Sequence, residues 1–166
     1  MTILPWFERN MKFGFPVEML PFFLDRLEGT SLRIAAKVKA IPNDVLTLQP
    51  EGKWSVKQHI GHLGEVDDIT ILRLKEISEQ VDTLSSAVFE PKHDFNAQSI
   101  QEVCAFFDDS RVRMIKAIKS LDQKILTKSS RHPRLNVQMT PVDLAWFDAE
   151  HDDHHLVKIS QIISQF

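Results

Sequence analysis

Cysteine is nearly absent from this chain: Cys104 stands alone among 166 residues. One thiol excludes an internal disulfide, a CxxC redox pair and a cysteine-rich zinc site, so any metal must be held by histidine and carboxylate. Glycine (5) and proline (8) are scarce too, and 43% hydrophobic against 26% charged residues excludes a disordered or fibrous chain. Charged residues interrupt every apolar run well short of the about 20 residues that a membrane span needs, and no secretory h-region marks the amino terminus. These absences predict a cytoplasmic protein with no membrane partner. Neither sign of charge dominates: 20 Lys and Arg stand against 23 Asp and Glu, a net charge of −3. The basic residues are scattered, which predicts no nucleic-acid partner, because phosphate binding needs clustered cations. Long strict alternation, a phosphate-cradling glycine loop and a nucleophile elbow are all missing.

What is present is helical periodicity over a length that suits one domain, residues 1–166. Four long helices are predicted. The first runs from about Pro16 to Ala40, with Phe22, Phe23, Leu27, Leu32, Ile34, Ala35 and Val38 as its apolar residues and Gly29 loosening its middle. The second opens on a capping box, Ser55 with Gln58, and extends to about Gln80; the third opens on the same device, Ser99 with Glu102. The fourth starts at Thr140-Pro141, where threonine supplies the cap oxygen and proline needs no amide partner, and runs nearly to Phe166. Similar lengths of about 20–25 residues, roughly 30–37 Å, suit an all-α four-helix bundle sharing one apolar seam. Residues 81–98 and 122–139 are longer than an antiparallel hairpin needs, so long crossover connections are expected. Leu4-Pro5-Trp6-Phe7 reads as a flap packed by its aromatics.

Three of the seven histidines, His151, His154 and His155, crowd the fourth helix. At about 100° per residue, His151 and His155 lie only about 40° apart, within the stripe of Leu144, Phe147, Ile159 and Ile162. Two imidazoles one turn apart on an inward face can chelate one divalent ion. A third ligand must come from elsewhere, and the second helix offers His59 and His62, between which periodicity does not choose. Glu65, one turn after His62, is a candidate general base or orienting group, and otherwise a solvated charge. Arg111 falls within the stripe of the third helix, where it either snorkels to solvent or points into the bundle and favours an anionic substrate. Asp148-x-x-His151 and Asp152-x-x-His155 hint at a di-metal centre, but the second helix carries only the reversed His62-x-x-Glu65. Cys104 reads as an inert core thiol. Gly61 and Gly64, each costing about 1 kcal/mol relative to alanine in a helix, suggest a close approach, either by a second subunit or by the flap.

The stretch Lys53-Trp54-Ser55 through His59-Ile60-Gly61-His62-Leu63 resembles the first signature of the DinB-like (YfiT-like) metalloprotein superfamily. Ala149-Glu150-His151-Asp152-Asp153-His154-His155-Leu156 is similar to its second, a His-x-x-x-His pair near the end of the last helix. Arg26-Leu27-Glu28-Gly29-Thr30 and Met139-Thr140-Pro141 also resemble the family. The resemblance implies a crossed four-helix bundle, commonly a homodimer, with one divalent ion per chain, zinc or nickel, on His62, His151 and His155, and it makes His59 a neighbour. Three neutral ligands would leave an open position for water, thiol or substrate. The implied functions are a metal-dependent hydrolase acting on a small-molecule substrate, with Glu65 or His154 as proton acceptor; a transferase of a low-molecular-weight thiol co-substrate; or a non-enzymatic metal-binding stress-response protein.

Overall fold

The computed structural model describes residues 3–87 and 90–166. Four long helices dominate: α1 (Leu20–Val38), α3 (Val56–Ser78), α4 (Ile100–Lys119) and α6 (Pro141–Ile163), with short helices α2 (Asn43–Thr47) and α5 (Gln123–Leu126) between them. Three of the long helices begin with reciprocal capping. Ser55 and Gln58, Ser99 and Glu102, and Thr140 and Asp143 each exchange side-chain and backbone hydrogen bonds across the first turn, which satisfies amides that have no intrahelical partner. α1 lacks such a cap: the chain leaves Pro16 through a 3-10 turn, Val17–Met19, and becomes α-helical only at Leu20. The expected loosening at Gly29 is absent, because α1 runs unbroken through it.

Helix α3 packs chiefly on α4, and α1 on α6; α3 also meets α6, and α1 meets α4. The four axes therefore form a square in which α1 faces α3, and α4 faces α6, across the diagonals. Two of the three connections, α1 to α3 and α4 to α6, must cross an end of the bundle and carry α2, α5 and a small hairpin, whereas the equally long α3–α4 connection, which contains residues 81–98, joins adjacent helices and does not cross. In that hairpin β1 (Ser130–Arg131) pairs antiparallel with β2 (Gln138–Met139). Residues before α4 lie beside it, Leu84 donating its amide to Arg131 O at 2.9 Å. Among the described residues no helix is long and apolar enough to cross a membrane.

The core is split. One apolar cluster gathers around Leu27, Leu74, Met114 and Leu144, and another around Ile34, Ile60, Phe107 and Ile159. Between them runs a buried polar layer. Arg111 donates Nε–H to Asp67 at 3.0 Å and both terminal nitrogens to Asp152, at 2.5 and 3.0 Å, and Nη1 also reaches Leu27 O. Thr30 donates to the same Asp152 at 2.7 Å. Arg111 thus neither snorkels nor lines the cavity: the buried guanidinium finds its counter-charges on adjacent α3 and, across the diagonal, on α6.

The two α3 glycines are explained within the chain. A Cβ on Gly61 would lie 2.3 Å from the Phe95 ring, and one on Gly64 would lie 2.7 Å from Phe106. The residues that press on them come from the α3–α4 connection and from α4, not from the flap.

Candidate metal centre

The acidic residues around His151 and His155 fix how α6 is rotated. Asp152 turns inward to Arg111, while Glu150 and Asp153 both take Arg26 of α1, and Glu150 also takes Arg9. With these contacts made, His151 and His155 face α3, where His62 sits two turns past the Ser55 cap. His62, His151 and His155 each offer one ligand atom, and the three atoms lie within 4.8 Å of one another. Burial holds the imidazoles in their neutral, ligating form. His62 is pushed down to about 4, and His151 and His155 lie well below the ordinary value, desolvation first and the neighbouring histidines second.

His155 Nε2 lies 3.0 Å from His151 Nε2, while its Nδ1 lies 2.8 Å from Nδ1 of His59. The His59 contact requires one N–H; with that proton on His155 Nδ1, the Nε2 lone pair is left for a ligand. His62 Nδ1 and His151 Nδ1 are buried with no hydrogen-bond partner among the described residues. An orphaned buried nitrogen costs about 1–3 kcal/mol, and two of them on converging neutral imidazoles fit a divalent cation better than they fit an apolar core. Two aromatic rings finish the site. Trp54 packs against His62 at 4.5 Å between centroids and stacks on His155 at 5.9 Å. Trp6 of the amino-terminal flap sets its edge against Phe147 and His151 at 5.1 and 5.2 Å. The flap itself is pinned by Asp143, which accepts from the amides of Gly14 and Phe15.

The histidines open onto a cavity of about 460 Å³ walled by Trp6, Phe7, Trp54 and Phe147. A family model, that of the DinB superfamily, matches residues 26–159. The chain belongs to the DinB superfamily. Solved structures agree on the fold. YfiT from Bacillus subtilis, described as a probable metal-dependent hydrolase with an unusual four-helix bundle topology, superposes with a TM-score of 0.80 at 16% identity, over 95% of this chain and 93% of that one. TT2238, a four-helix bundle protein, gives 0.64 at 23% identity, over 86% and 98%. No curated protein matches the chain in sequence.

Within this DinB fold the other expected site residues separate. His154 lines the cavity, half-buried, its pKa lowered by desolvation and by Lys158 and Arg9. Glu65 does not line it: its carboxylate accepts from the Lys92 amide at 2.8 Å and from His93 Nδ1 at 2.9 Å, tying down the α3–α4 connection. That engagement removes Glu65 from the candidate bases. Asp148 accepts from Thr70 at 2.7 Å and Asp152 is engaged with Arg111, so the Asp-x-x-His pairs serve the helix packing rather than a second ion. Burial pushes the Cys104 thiol up to about 11, against thiolate formation. Two cavity residues are not singled out in the sequence: Arg73, on α3, and His132, just after β1.

Proposed function

We propose that this DinB-superfamily protein is a mononuclear metal-dependent hydrolase, with zinc or nickel held by His62, His151 and His155. The observation that carries the reading is the convergence of three neutral imidazoles, two with an orphaned nitrogen, at one side of a cavity large enough for a small organic substrate. The description of YfiT as a probable metal-dependent hydrolase supports it. When bound, a divalent ion supplies Lewis acidity and lowers the pKa of a coordinated water toward ~7.

The protein's own groups do the rest. His59 fixes the ring orientation of His155 through the Nδ1 contact. Trp54 and Trp6 hold His62, His155 and His151 from the sides and keep bulk water from the nitrogens. His154, neutral and on the cavity wall, is placed to accept a proton during attack on a bound carbonyl. The aromatic walls hold the apolar part of a substrate.

The test compares zinc-loaded, nickel-loaded and chelator-treated protein on a panel of nitrophenyl esters, amides and lactones, with elemental analysis alongside. About one ion per chain and hydrolysis that vanishes on chelation, or in His62→Ala with circular dichroism unchanged, is the expected result. A metal-free protein after loading overturns the metal reading. A loaded protein that consumes electrophiles only in the presence of a small thiol overturns hydrolysis in favour of thiol transfer.

A further inference from the structure

Arg73 lies eleven residues after His62 on α3, so at about 100° per residue it shares nearly the same helix face, about 16 Å farther along the axis at 1.5 Å per residue. The same cavity reaches both residues. Arg73 is 4% exposed, yet among the described residues it forms no ion pair. Its Nε and Nη2 donate to one backbone carbonyl, Ser85 O, at 3.1 and 3.0 Å, and Nη1 has no hydrogen-bond partner among the described residues. Asp148 and Glu76 favour its charge only from a distance, against the desolvation that opposes it. Arginine is rarely buried without a partner, and a guanidinium edge turned into a cavity is an unfilled anion site.

The pairing of Leu84 with Arg131 brings a second donor beside it. His132 follows directly, is 5% exposed and lines the cavity. Its Nδ1 accepts the Leu135 amide at 3.2 Å, so the proton of the neutral ring sits on Nε2, which has no partner among the described residues. The ring is held neutral, its pKa pushed down to about 4 by burial and then by Arg73 and Arg134, and those two causes show that cationic charge gathers at this end. The two acids near Arg73 are both engaged, Asp148 by Thr70 and Glu76 by the amide and hydroxyl of Ser85.

We infer that Arg73 and His132 form the binding site for a substrate carboxylate, at the end of the cavity remote from the three histidines. A single guanidinium edge and one imidazole N–H match a monoanion; a phosphate dianion would call for more charge. The substrate class is then a monocarboxylate with an apolar, preferably aromatic, body and its hydrolysable bond at the opposite end. The inference rests on the reading of this cavity as the substrate site.

Its test uses 4-phenylbutanoate and the neutral 4-phenylbutanamide as probes, with binding read from the fluorescence of the cavity tryptophans in chelator-treated and zinc-loaded protein. The acid should bind about tenfold to a hundredfold more tightly than the amide in both forms, the range of a charge-assisted hydrogen bond. Arg73→Gln should erase that preference while leaving amide affinity unchanged, Arg73→Lys should keep part of it, and His132→Phe should reduce it several-fold. Equal affinities, or a preference that survives Arg73→Gln, overturn the proposal. A preference seen only with zinc also overturns it, because the carboxylate then sits on the ion. A preference seen in wild-type protein that takes up no zinc after loading sinks the metal reading and leaves the carboxylate site intact.

Discussion

His155 uses both ring nitrogens, and what happens at one constrains the other. Its Nδ1 meets His59 and its Nε2 meets His151, so the histidine that is not a proposed ligand orients the ring of one that is. Removing such an orienting partner from a metal-ligating imidazole lowers metal affinity by about 10–100-fold. His59→Phe is therefore expected to weaken zinc binding by that factor in a chelator competition assay, whereas His62→Ala and His151→Ala should abolish it. Equal loss in all three variants would make His59 a ligand. This pair also marks where reading the chain stops. His59 and His62 share one helix with comparable claims to the inward face, and both meet His155; what divides them is that His62 also meets His151 on α6, information that no window of α3 contains. Arg111 and Glu65 fail to be legible for the same reason. Their helix positions are readable, but Asp152 and Lys92, which claim their charged ends, come from distant segments.

At the scale of elements, the helices were legible because their ends are written locally. Ser55-x-x-Gln58 and Ser99-x-x-Glu102 state the start of α3 and α4, and Thr140-Pro141 that of α6, in four residues or fewer. The start of α1 was misplaced at Pro16 because no polar cap announces it and a 3-10 turn intervenes. The purpose of Gly61 was equally hidden, since the Phe95 ring that needs the space lies on the connection before α4. Gly61→Ala should gain about 1 kcal/mol of helix propensity but lose more to overpacking, which costs about 1–3 kcal/mol, because fully buried Phe95 has no room to retreat. A lower thermal midpoint, partly recovered by adding Phe95→Leu, is the expected outcome. A more stable Gly61→Ala protein would mean that the ring shifts freely.

For the whole molecule the decisive feature is the polar layer between the two apolar clusters. One guanidinium there faces two carboxylates, and Asp67 has the weaker claim: it receives Arg111 Nε at 3.0 Å, with Oδ1 unpartnered, while Asp152 is held at both oxygens. Burial accordingly raises Asp67 to about 7, with Arg111 opposing and the Asp152 charge adding. A raised carboxyl makes the folded state bind the extra proton, so its contribution to stability is complete below about pH 4, the unfolded value, and is lost as pH rises toward 7. Asp67→Asn should remove that loss. Measured against wild type by denaturant unfolding, the variant should gain stability on the order of 2–4 kcal/mol between pH 4 and 7.5, and a difference that is flat with pH would refute the assignment.

The diagonal placement of sequence neighbours also sets an order of events. Among the four long helices only α3 and α4 are both consecutive in sequence and packed side by side, so theirs is the shortest loop closed between packed long helices, whereas α6 must return across the bundle to reach α1 and α3. The histidines of α3 and α6 meet only on that last return. An ion held by all three, as proposed, would bind only after the chain has almost finished folding, and would act on the unfolding rate of α6 rather than on the speed with which the bundle first assembles.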